Sequence, residues 1–143
     1  MFWSQSGKFV TFALLDLDID DHTATFLSAG HAPSLIIRGE NGDIDHINAQ
    51  GMPLGILDSQ ELEQPVTFNL QPGDLVILFS DGAYEVSNKA GEQFGLDRFI
   101  NVITENSHES AKEIVDAIQY DVDKFRGEQP QQDDMTIVVL KRS

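Results

Sequence analysis

The first half of the chain carries short apolar runs with the two-residue period of β-strands. Residues 9–19 read FVTFALLDLDI and are rich in β-forming residues. The second part of this run alternates, so that its apolar residues face one way while Asp16, Asp18 and Asp20 face the other. The pattern predicts a strand with one polar face.

The same reading predicts several more strands. The ENGD sequence at 40–43 is a strong hairpin signal. The run LVILFS is apolar almost throughout, which indicates a strand that is buried on both faces. MTIVVL, near the end of the chain, predicts a final buried strand. These further strands are predicted at residues 22–30, 33–39, 44–47, 65–70, 75–80 and 135–140.

The period changes to that of a helix in the second half. Apolar residues from Leu96 to Ile103 fall on one helical stripe, and Ser110 with Glu113 forms a capping-box sequence at the start of a longer helix. The segment 126–134 (RGEQPQQDD) is predicted to be a loop. Strands followed by helices and one last strand favour an α+β fold with antiparallel sheets. A length of 143 residues is typical of one domain.

Composition excludes several classes of protein. Nine basic against 24 acidic residues give a formal charge of −15, which disfavours nucleic acid and anionic membranes as partners. The absence of cysteine excludes disulfides, zinc-thiolate sites and a cysteine nucleophile, and it is compatible with a reducing compartment. No apolar run reaches the roughly 20 residues of a membrane span. We therefore expect a cytoplasmic protein.

Two acidic segments lie at the ends of predicted strands. Asp81 follows the strand 75–80, and Asp133 and Asp134 directly precede the strand 135–140. If these strands are antiparallel neighbours, the carboxylates converge, and a divalent cation such as Mg²⁺ or Mn²⁺ would relieve their repulsion. Ordinary turn chemistry at Asp81-Gly82 and a solvated loop at Asp133 are the simpler alternatives.

Other candidate sites are weaker. Asp16, Asp18 and Asp20 match the first ligands of a calcium loop, but the later positions do not, so a solvated strand face is the better interpretation. Ser80 has no G-x-S-x-G elbow around it, which argues against a nucleophilic serine. His22, His46 and His108 lie in separate polar stretches and form no zinc spacing, and a turn histidine is a better interpretation of His31 than a catalytic base.

Five segments occur in an order and spacing that resemble a known family: FVTF…LD, SAGHAP, GMPLGI, LQPGDLVILFSDGAYEVSNKAGEQFGLDRF and QQDDMTIVVL. Together they resemble the SpoIIE/RsbU branch of the PPM, or type 2C, metal-dependent serine/threonine phosphatases. The resemblance implies an αββα sandwich of antiparallel sheets flanked by helices, with two Mn²⁺ or Mg²⁺ ions that catalyse phosphoserine or phosphothreonine hydrolysis. It also implies that Asp81 and Asp133 are metal ligands, with Asp134 a neighbour of less certain role.

The chain departs from the family pattern at its start. The Gly-Asp-Val-x-Gly-His-Gly-like segment, whose aspartate bridges both ions, is absent. We therefore expect residues 1–143 to be the C-terminal portion of one phosphatase domain, weakly active or inactive alone, with a catalytically inactive binding module as the alternative. The resemblance implies a phosphorylated anti-sigma-factor antagonist as substrate and an N-terminal sensory or receiver domain in the parent protein. An open sheet edge would also permit a homodimer.

Overall fold

A computed structural model of the chain describes residues 8–31, 34–48, 51–57 and 64–143. It has two compact units, Met1–Pro33 with Asn48–Gln71 and Ser34–Ile47 with Pro72–Ser143. The helices and strands are β1 (Phe12–Asp18), β2 (Thr23–Ala29), β3 (Ser34–Ile37), β4 (Ile44–Ile47), β5 (Val66–Asn69), β6 (Leu75–Phe79), α1 (Leu96–Glu105), α2 (Ala111–Arg126) and β7 (Ile137–Lys141).

The first unit holds a three-stranded antiparallel sheet in the order β1-β2-β5. The buried side chains of this sheet lie mainly on β2, where Ala24 and Phe26 are fully buried. β1 pairs with β2 through its whole length, from Phe12 opposite Ala29 to Asp18 opposite Thr23. Among the described residues β1 has no strand on its other side, so it is an edge of this sheet.

The second unit holds a four-stranded antiparallel sheet in the order β4-β3-β6-β7. The predicted hairpin at 40–43 joins β3 to β4, closed by a hydrogen bond from the Arg38 amide to the Asp43 carbonyl. β6 is a central strand, and four of its five side chains are buried, which confirms the expectation for LVILFS. The predicted α+β class with antiparallel sheets is confirmed.

Two helices pack on the second sheet and form its core. The predicted capping box begins α2: the Glu113 amide donates to the Ser110 hydroxyl, and the Ser110 amide donates to the Glu113 carboxylate. The Phe79 ring at the end of β6 contacts the Phe99 ring of α1, with 4.6 Å between their centroids. This cluster of buried side chains consists of Leu35, Ile37, Leu75, Ile77, Phe79, Ala83, Phe94, Phe99, Val102, Ile103, Ile114, Ile118 and Val122.

Two sequence predictions need correction. The alternation expected to run through Asp20 stops at Asp18, because Ile19 and Asp20 belong to the turn that leads to β2. β7 was expected to be buried, but among the described residues it is an edge strand of its sheet, with mostly half-buried side chains. An apolar run such as MTIVVL does not reveal whether a second strand pairs with it.

Among the described residues, no helix is long and apolar enough to cross a membrane.

Candidate metal site at the end of β6 and β7

Asp81 lies where a buried strand changes abruptly into a helical turn. β6 ends at Phe79, Ser80 is still extended, and Asp81–Ala83 form one turn of 3₁₀ helix. The amide of Ala83 donates to the Ser80 carbonyl, and the amides of Tyr84 and Glu85 donate to the Asp81 carbonyl. Gly82 and Ala83 are buried, whereas the Asp81 side chain is exposed. The turn thus leaves a carboxylate at the rim of a buried sheet.

The second acidic segment lies just before β7. Asp133 and Asp134 are both exposed, and the Asp133 carboxylate accepts a hydrogen bond of 2.7 Å from the Asp134 amide. The side-chain amide of Gln131 donates to the Asp133 carbonyl at 2.8 Å. These local bonds define the loop that precedes the strand.

The structure brings the two segments together, as expected for antiparallel neighbours. β6 and β7 pair from Leu75 opposite Lys141 to Phe79 opposite Ile137. Beyond the last pair, the backbone of Gly82 lies so close to the Asp134 carbonyl that a Cβ at position 82 would be only 2.3 Å from that oxygen. The close approach of these two backbone segments therefore requires glycine at position 82.

The Ser80 hydroxyl makes a second connection between the segments. It accepts a 3.0 Å hydrogen bond from the Thr136 amide and lies 3.2 Å from the Asp134 carbonyl, to which it donates. The Ser80 amide also donates to the Thr136 carbonyl at 3.0 Å. From the sequence, Ser80 was a candidate only as a nucleophile, and this contact was not predicted. Its position directly before the Asp-Gly pair was the available signal.

The site is electronegative. Within the described ranges, no basic side chain forms an ion pair with Asp81, Asp133 or Asp134. Burial raises the pKa of the neighbouring Tyr84 hydroxyl, and the negative charges of Glu85 and Asp81 raise that pKa further. A cavity of about 150 Å³ adjoins the acidic loop, and Gly82, Glu85 and Asp133 are among the residues that line it.

The donors at this site fit a hard divalent cation in type but not in number. Carboxylate and carbonyl oxygens are the ligands that Mg²⁺ and Mn²⁺ prefer. Nowhere in the described part of the chain do three or more acidic or histidine side chains come together as a metal site. The residues present therefore suit one partly hydrated ion rather than a complete binuclear centre.

The other acidic candidate has a structural role. The Asp18 carboxylate accepts hydrogen bonds from the Asp20 and Asp21 amides at 3.0 and 2.9 Å and so closes the turn after β1. Asp16 is exposed on the strand. These positions are a solvated strand face and turn, as the failed calcium-loop pattern indicated. Of the SAGHAP motif, residues 32–33 lie outside the described residues.

Comparison with known proteins identifies the fold. The structure resembles the PP2C domain of SiaA from Pseudomonas aeruginosa with a TM-score of 0.80 and 21% identity, over 93% of this chain and 52% of that one. It also resembles the phosphatase domain of SpoIIE from Bacillus subtilis, presoaked with Mn, with a TM-score of 0.68 and 30% identity over 92% of this chain and 56% of that one. The fold is therefore that of a PP2C-type protein phosphatase domain.

Family membership follows from the sequence. Residues 3–143 match the family model of Stage II sporulation protein E (SpoIIE). The phosphoserine phosphatase RsbU of Bacillus subtilis is 32% identical over 96% of this chain. The chain belongs to the SpoIIE family, as its motifs indicated. It spans only 40% of the length of RsbU.

Proposed function

We propose that this chain forms part of a metal-dependent phosphatase domain that hydrolyses phosphoserine or phosphothreonine on a regulatory protein. The observation that carries the proposal is the junction of the Asp81 and Asp134 segments at one end of a sheet, in a chain of the SpoIIE family. The similarity to a phosphoserine phosphatase favours this enzymatic role over that of an inactive binding module.

Asp81 and Asp133 would hold a divalent cation through their carboxylate oxygens, with Asp134 beside them. A bound divalent cation stabilises negative charge on the transferring phosphoryl group and lowers the pKa of bound water. Among the residues that the structure describes, neither carboxylate forms an ion pair, which leaves both available for this role. We propose Mn²⁺ or Mg²⁺, and a Mn-presoaked SpoIIE phosphatase domain supports the first choice.

We further propose that the 143 residues are the C-terminal portion of the phosphatase domain and bind one such ion weakly. Two carboxylates are enough for one Mg²⁺ that keeps several waters, but two-metal sites need ligands that fix both ions about 3.5–4 Å apart. The isolated chain is therefore expected to show little or no phosphatase activity. Its coverage of only about half of the similar solved chains is consistent with this division.

The wider context is proposed from the relatives. The substrate would be a phosphorylated protein of the anti-sigma-factor antagonist type in the cytoplasm, and a sensory or receiver domain would regulate the whole protein. The chain covers 40% of the length of RsbU, which leaves room for such a domain in a protein of that size.

Pairing of two copies at the free edge of β1 is a further proposal, and light scattering at high concentration tests it: a strictly monomeric mass would contradict it.

The test of the phosphatase proposal compares the full-length protein with the 143-residue chain. Hydrolysis of p-nitrophenyl phosphate is measured with Mn²⁺ and with EDTA, and then repeated with a serine-phosphorylated protein. We expect turnover by the full-length protein only with Mn²⁺, and little by the short chain. Metal-independent turnover, or none in the full-length protein, would contradict the proposal.

A further inference from the structure

We propose that Ser80 is a positioning residue that holds the two acidic segments in register for metal binding, through its hydroxyl group. This inference rests on the proposed metal site and assigns a role to a side chain that is not itself a ligand. The Ser80 hydroxyl links the segment that contains Asp81, the next residue in the chain, to the Asp133–Asp134 loop that precedes the adjacent strand.

The backbone of Ser80 keeps only one of its two hydrogen bonds to the neighbouring strand segment. At the end of an antiparallel pair, opposite residues exchange hydrogen bonds between their amides and carbonyls. The Ser80 amide keeps its part of this exchange with the Thr136 carbonyl at 3.0 Å, but the Ser80 carbonyl accepts from the Ala83 amide instead. The backbone has turned its carbonyl away to form the helical turn that contains Asp81.

The Ser80 side chain supplies the acceptor that its backbone has withdrawn. The Thr136 amide, which loses the Ser80 carbonyl as an acceptor, donates to the Ser80 hydroxyl at 3.0 Å. The same hydroxyl donates to the Asp134 carbonyl at 3.2 Å. The side chain thus replaces the missing backbone acceptor, and β6 can end in a tight turn without separating from the chain that leads into β7.

The Ser80 hydroxyl lies next in sequence or in hydrogen bonding to both proposed ligand segments. Asp81 follows Ser80 directly, and Asp133 precedes the residue whose carbonyl the hydroxyl contacts. The Gly82 backbone also lies against that Asp134 carbonyl. Residues that orient metal ligands without touching the ion change metal affinity by about 10- to 100-fold when they are removed. Because Ser80 acts through the backbone, we expect the lower end of this range.

The test uses three variants of the 143-residue chain labelled with ¹⁵N. Ser80→Ala removes the hydroxyl, Ser80→Thr retains it, and Ser107→Ala is a matched control in the loop between the helices. Each is titrated with Mn²⁺, and the paramagnetic broadening of amide signals near Asp81 and Asp133 gives the affinity, even when binding is weak. Hydrogen exchange of the Thr136 amide is measured without metal.

We expect Ser80→Ala to weaken Mn²⁺ binding about tenfold and to speed exchange of the Thr136 amide. Ser80→Thr should restore both properties, and Ser107→Ala should change neither. An unchanged Mn²⁺ affinity in Ser80→Ala, with normal binding in the unmodified chain, would overturn the role of Ser80 alone. The absence of broadening near Asp81 and Asp133 in the unmodified chain would instead overturn the metal site, and the role of Ser80 with it.

Discussion

The two sheets differ in how fully their apolar side chains are buried. In the four-stranded sheet, the apolar residues of β6 and β3 pack with two helices, and Leu75 and Phe79 are at most 1% exposed. In the three-stranded sheet, apolar residues of β1 remain open to solvent, with Phe12 at 39% and Leu14 at 49% exposure. Strands of similar apolar content therefore contribute differently to stability.

The difference also concerns function. The candidate metal ligand Asp81 follows β6, a strand with four of its five side chains buried, and the ring of Phe79, two residues before it, contacts the rings of Phe99 and Tyr84. A site that must hold an ion is best built at the end of a rigid element. The acidic residues of β1 lie on an exposed edge strand and have no such support. The contrast indicates that the buried strand before Asp81 is what distinguishes this candidate ligand from the acidic residues of β1.

The largest expected effect tests the contrast in stability. Phe79→Ala should lower the free energy of unfolding by about 3–5 kcal/mol, because it removes a large buried side chain from the core. Phe12→Ala, the matched change in β1, should cost about 1 kcal/mol or less, since Phe12 is already partly in water. Urea unfolding of both variants measures the difference. Equal losses would show that the two sheets are equally important for stability.

The second prediction tests the contrast in function. Asp81→Asn or Asp133→Asn in the full-length protein should reduce Mn²⁺-dependent hydrolysis about 100-fold or more, because each removes a charged ligand and a bound cation is worth several kcal/mol in the transition state. Asp16→Asn should leave activity nearly unchanged. Steady-state kinetics with p-nitrophenyl phosphate measures all three. Normal rates in the first two variants would refute the metal assignment, and a large loss at Asp16 would refute its interpretation as a solvated face.

The third prediction concerns the close approach at Gly82. Gly82→Ala places a methyl group against the Asp134 carbonyl, so the two backbone segments must move apart. We expect this movement to lower the free energy of unfolding by about 1–3 kcal/mol. Mn²⁺ affinity should fall as well. Gly91→Ala is the control: its φ of 78° disfavours alanine, but no atom lies within 4 Å of the added Cβ. Calorimetric titration should therefore show weaker Mn²⁺ binding for Gly82→Ala only, and equal affinity in both variants would contradict the steric argument.

The smallest expected effect is at the start of α2. Ser110→Ala removes the N-cap and should reduce the free energy of unfolding by about 1 kcal/mol.

The hydrogen bonds from Ser110 lower the pKa of the Glu113 carboxyl. A lowered pKa in the folded state means that this contribution is present above the ordinary carboxyl pKa and is lost as the pH falls through the lowered value. Urea unfolding at several acidic pH values should show a smaller pH dependence in Glu113→Gln, and an unchanged dependence would contradict this.

The sequence by itself determined the local elements and the family. The two-residue and helical periods predicted the strands and both helices, because these periods reflect which side chains share one face. The Ser110–Glu113 capping box could be identified because its hydrogen bonds join residues that are three apart. Five motifs, including those around Asp81 and Asp133, indicated the SpoIIE family, since they occur in a fixed order along the whole chain.

Only the tertiary structure decided which strands are edges and how the acidic segments meet. β7 and β6 are both apolar runs, but β7 has one neighbouring strand among the described residues and β6 has two. The contact between Gly82 and Asp134 and the hydrogen bonds of Ser80 join residues more than 50 positions apart. Such contacts depend on strand register, which is set by packing of the whole sheet rather than by local sequence.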